Sequence, residues 1–88
     1  MRDISIRNLD RHVFNKIPDT CIRSREDGDN DETSGVRNLA GAVNVVIKDV
    51  FDIVFSEDND LIITVFFQCN PSVVIKVPYN AFSSVVIQ

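Results

Sequence analysis

The sequence predicts an α+β domain: a small, curled, mainly antiparallel sheet of four or five strands, forming a partly open barrel or a sandwich, with one short N-terminal helix. Three observations carry this. Residues 43–87 hold a nearly unbroken series of strand-like apolar runs, at 43–47, 50–55, 61–67, 73–77 and 85–87. The links between these runs are short and rich in turn residues, which implies antiparallel pairing of successive strands. Residues 1–38 are polar and charged by contrast, with a single short stretch of helical period.

The first element is a strand, because Ile4, Ser5 and Ile6 alternate before Asn8 and Asp10 offer good helix N-caps. Leu9, Val13, Phe14 and Ile17 then recur at helical spacing, and Pro18 stops the turn. A helix of about two turns over 10–17 fits this spacing. It is too short to stand alone and must dock on the sheet. Residues 19–35 offer only Cys21 and Ile22 for burial, and five acids fall within 26–32, so a mobile acidic loop is expected there.

From Val43 onward the strand signals are clear. Lys48-Asp49 either separates two strands or marks a bulge in one bent strand. Residues 56–60 form a polar hairpin loop, and Cys69-Asn70-Pro71-Ser72 form a second turn. Pro78 ends the next strand, and Tyr79-Asn80-Ala81-Phe82 form a corner before the last strand at 85–87. The run 61–67 is apolar on both faces, as in a central strand covered on both sides.

Length and composition bound the function. Eighty-eight residues make one domain with a core of modest size. A net charge of −4 argues against nucleic acid and against an anionic membrane surface as partners. The longest apolar runs are about half of what a membrane-spanning helix needs. Two cysteines, Cys21 and Cys69, with no signal-like segment after Met1, predict reduced thiols in a cytoplasmic protein.

No catalytic constellation is evident. One histidine, His12, has no partner motif, and the three glycines are scattered. With no Cys-x-x-Cys pair, neither a metal site nor any cofactor is expected. Asp27, Asp29 and Asp31 stand at the first, third and fifth positions of a calcium-loop pattern. The sixth position is Glu32 instead of glycine, and the twelfth is Asn38 instead of glutamate. A solvated acidic segment formed by Glu26, Asp27, Asp29, Asp31 and Glu32 is the simpler reading.

Two family resemblances bear on the chain. Asp3-Ile4-Ser5-Ile6-Arg7-Asn8-Leu9-Asp10, followed by Val13 and Ile17, resembles the opening of ribbon–helix–helix antitoxins. That likeness stops at Pro18, where the family needs a second long helix, and Asp3 would turn a negative charge toward DNA. In the other half Gly41, Asn59-Asp60 and Val77-Pro78-Tyr79-Asn80-Ala81-Phe82 resemble the closing half of stringent starvation protein B, an adaptor that hands tagged proteins to an AAA+ protease. The resemblance spans residues 41–87 and implies a small curled barrel able to hold an extended peptide. The long N-terminal dimerisation helix of that family is not evident here.

The expected function is therefore a non-enzymatic protein–protein interaction module, adaptor-like, taking a partner protein or peptide through an apolar groove or a sheet edge. Phe51, Phe55, Phe66, Tyr79 and Phe82 are the candidate anchors, since aromatic side chains dominate such contacts. The bare apolar strand at 85–87 further suggests a homodimer. The competing expectation is an acidic inhibitor or immunity-type protein, of phage or toxin-system origin, that blocks a basic site through residues 26–32.

Overall fold

The computed structural model describes residues 2–27, 41–67 and 70–88. They form six strands and one short helix: β1 (Arg2–Leu9), α1 (Arg11–Phe14), β2 (Ile22–Asp27), β3 (Val43–Phe55), β4 (Leu61–Phe67), β5 (Asn70–Val77) and β6 (Ser84–Ile87), with a single 3₁₀ turn at Asp19–Cys21. Every pairing is antiparallel, and the order is β5-β4-β3-β1-β6 with β2 also on β3. The sheet is open.

β3 organises the molecule. Ile47 pairs with Ile4 of β1 and with Ile22 of β2, so those two strands lie on opposite edges of β3. Val50 pairs with Arg2 of β1 and with Val65 of β4, so β4 follows β2 along the same edge. The chain can make this handover because β3 is bent. Asp49 adopts φ +58°, and the β1 register slips between Arg2 and Ile4 opposite it. A second slip against β4, between Val50 and Asp52, leaves Phe51 as the extra residue. Lys48-Asp49 is thus a bulge in one strand, not a break between two.

The core occupies one face of the sheet. Ile4, Ile6, Val43, Val45, Ile47, Leu61, Ile63, Val65 and Val77 are all buried, as the period of two demands. Phe14, Ile17 and Cys21 cover them from the α1 side. On the other face Ile62, Thr64 and Phe66 are half-buried while Val54, Val74 and Val86 are exposed, so the two-sided burial expected from the run 61–67 is met only in part.

Two local expectations are corrected. Regular helix spans one turn, Arg11–Phe14, rather than two. The Asp10 carboxylate accepts from the His12 N–H at 2.8 Å as N-cap, while Lys16 and Ile17 close with bonds to Val13 and Phe14. These shorter-range bonds fit the position of Pro18, which disfavours helical backbone in the residue before it. Ile17 is still buried.

The segment 19–35, expected as loop, begins with the 3₁₀ turn and strand β2. Glu26 and Asp27 pair with Asn44 and Val43. Backbone pairing to the free edge of β3, not apolar burial, makes this strand. Arg23, Arg25 and Glu26 are exposed, where an edge strand tolerates charge. The sheet therefore has six strands, not four or five. Asp29, Asp31, Glu32 and Cys69 lie outside the described residues.

Candidate functional site: a step in the sheet

The strand registers create a step. Among the described residues β1 runs beside β3 as far as the Arg2–Val50 pair, and β6 ends where Ile87 pairs with Ile4 and the Gln88 N–H donates to the Asp3 carbonyl at 2.9 Å. The β3–β4 hairpin continues past that line, with Phe55 pairing with Leu61 near its tip. Along residues 51–55 the edge of β3 opposite β4 has no strand partner among the described residues. Five residues of strand measure about 17 Å.

The step is apolar. Arg2, Val50, Phe51, Asp52, Ile53, Phe55 and Ile87 line a groove of about 670 Å³ beside it. Phe51 is 59 % exposed, Phe55 54 % and Ile87 45 %. Pairing with Ile63 and Leu61 puts Ile53 and Phe55 on the core-facing side, where Ile53 packs in part against the core and Phe55 stands exposed beyond it. Phe51, displaced by the bulge, stacks instead on Phe66, with ring centroids 6.2 Å apart.

The hairpin tip is built firmly enough to hold this edge. Asn59 takes φ +67°, a conformation asparagine tolerates in turns. The Ser56 hydroxyl accepts from the Asp58 and Asp60 N–H groups, both at 3.2 Å, and the Ser56 N–H donates to the Asp60 carbonyl at 2.9 Å. The Asp60 carboxylate also accepts from the Tyr79 N–H at 3.0 Å, pinning the β5–β6 corner to the hairpin, and lies 3.7 Å from Lys76.

The five aromatic residues singled out from sequence do not form one cluster. Phe51 and Phe55 line the step, and Phe66 backs Phe51. Tyr79 is exposed at the corner, tied to Asp60 by its backbone, while Phe82 is half-buried against the core. Sequence reasoning missed Ile87 and Arg2 as lining residues, because only the register of β1 and β6 brings them to the gap, and missed Ile53 of β3, which the sequence does not set apart from its apolar neighbours.

Elsewhere some of the charged groups are paired on the surface. Arg23 bridges Asp3 at 2.6 Å, which raises the guanidinium pKa further, and the Arg25 guanidinium sits 5.0 Å from the Phe14 ring centroid. Burial pushes the Cys21 thiol above its ordinary pKa. Among the described residues no group of three or more metal-ligating side chains forms, and no helix is long and apolar enough to cross a membrane. The chain matches no family model, no curated protein and no solved structure.

Proposed function

We propose that this chain is a non-enzymatic protein–protein interaction module that accepts an extended partner segment along β3 at residues 51–55. The carrying observation is the edge that has no strand partner among the described residues, beside exposed Phe51, Phe55 and Ile87. Backbone N–H and C=O groups of such an edge supply pairing, and flanking side-chain pockets supply selectivity. The apolar lining of the groove favours alternating aliphatic or aromatic side chains on the incoming strand. This reading keeps the adaptor-like character suggested by the resemblance of residues 41–87.

The test is retention of a bound partner by three forms of the protein. Wild type and a form with Glu26, Asp27, Asp29, Asp31 and Glu32 changed to serine should retain it equally at high salt. Phe51→Ser with Phe55→Ser should lose it. The reverse pattern, loss with the acids and with salt but not with the aromatics, would establish the acidic-inhibitor reading in its place, because exposed charge pairing is screened by ions.

A further inference from the structure

The step and the hairpin that projects past it are complementary to each other. We infer that the segment filling the step is β3 of a second copy of this chain, paired antiparallel about a two-fold axis at Ile53. This rests on the reading of residues 51–55 as an open pairing edge, and it names the occupant.

The geometry follows from the registers. An antiparallel pairing centred on Ile53 sets Ile53 opposite its own copy, Asp52 opposite Val54, and Phe51 opposite Phe55. The two projecting hairpins then lie side by side, each in the other's step. The second copy's strand ends at Phe55 opposite Phe51, one residue short of Val50, which Arg2 already occupies. The incoming chain must turn away at that point, and it does, through residues 56–60. Such a two-fold contact uses the same patch twice and closes on itself.

Charge favours this occupant. The second copy's turn carries Glu57 and Asp58, both exposed, and pairing brings it to the end of β1, where Arg2 is exposed. None of the three makes an ion pair among the described residues. The arrangement therefore matches an acidic turn with an arginine on both sides of the axis. It also avoids like charges directly opposite one another, since Asp52 faces Val54 and not its own copy.

The other edges are less suited. The outer edge of β2 carries Arg23, Arg25 and Glu26, and that of β5 carries Lys76, charges that discourage edge pairing. The outer edge of β6 is apolar but only four residues long.

Sedimentation over a concentration series, with cysteine cross-linking in a Cys69→Ser background, tests the pairing. Wild type should show a reversible monomer–dimer equilibrium. Ile53→Cys should form a disulfide-linked dimer under mild oxidation, because facing residues of antiparallel strands fall within disulfide reach, while Val86→Cys should not. Arg2→Glu should weaken the dimer about tenfold, and adding Glu57→Arg with Asp58→Arg should restore it. Circular dichroism checks that each variant is folded.

A protein that stays monomeric at every concentration overturns the pairing, as does a dimer cross-linked through Val86→Cys. Amide exchange separates this failure from that of the edge reading. Fast exchange in the monomer at those amides of residues 51–55 that do not donate to β4 removes only the second copy and leaves the edge open to a foreign segment. Strong protection of those amides in the monomer removes both.

Discussion

Phe55→Ser and Ile63→Ala sit on facing strands of the same hairpin, and the structure predicts sharply different costs. Ile63 is fully buried, pairing with Ile53 and Ile75. Truncating a buried isoleucine to alanine costs about 2–5 kcal/mol, transfer and cavity together. Phe55 is 54 % exposed. Complete burial of a phenylalanine is worth about 1.5–3 kcal/mol, so the fraction buried here is worth about 1 kcal/mol. A domain of this size has a total stability of about 4–13 kcal/mol, so the first loss is a large share of the whole and the second a small one. Urea unfolding at concentrations low enough to keep the protein monomeric reads both values. With a slope of about 1 kcal/mol per molar, the midpoint should fall by about 1 M for Phe55→Ser and by at least twice that for Ile63→Ala. Equal losses would refute the reasoning, because Phe55 would then belong to the monomer's own core and the step would lose its apolar wall.

Other changes test the scaffold. Gly41 has φ +89°, and an added Cβ would lie 3.2 Å from Arg11 Nε, which donates to the Gly41 carbonyl at 2.9 Å; Gly41→Ala should cost about 1–2 kcal/mol by thermal unfolding. Asp10→Ala removes the acceptor for the His12 N–H and should cost about 1 kcal/mol in the same assay. Cys21 is buried, and burial holds its thiol pKa above the ordinary value, so the unfolded chain releases the thiol proton first as pH rises. Its contribution is complete below the ordinary thiol pKa and is lost as pH climbs from there through the folded value. Stability should therefore decline above about pH 9, more steeply in wild type than in Cys21→Ala.

Much of the fold was legible in the residues themselves. The alternation of Ile4, Ser5 and Ile6, the runs at 61–67 and 73–77, the polar turn at 56–60 and the corner after Pro78 all mark elements that the structure contains. β2 was not legible. Its Arg-Ser-Arg-Glu-Asp sequence has no apolar period, and it is a strand because β3 offers it an unpaired edge. Periodicity overstates the helix because it reports which side chains are buried, and Ile17 is buried without standing in regular helix.

The candidate site divides the same way. Phe51 and Phe55 were visible as aromatic residues in an apolar run, but nothing in their spacing separates a core phenylalanine from an exposed one. Phe66 and Phe82, of the same type, are half-buried. By itself the sequence determined that this chain is rich in β-strand, that its core lies mainly in residues 43–77, and where most of its turns fall, because side-chain period and turn chemistry are local properties. Only the tertiary structure decided that β1 pairs with β3 as far as Val50, that β2 and β4 share one edge of a bent β3, and that residues 51–55 pair only with β4 among the described residues. Those facts depend on register between distant segments, which is set by how bulges at Asp49 and Phe51 let the strands share one core.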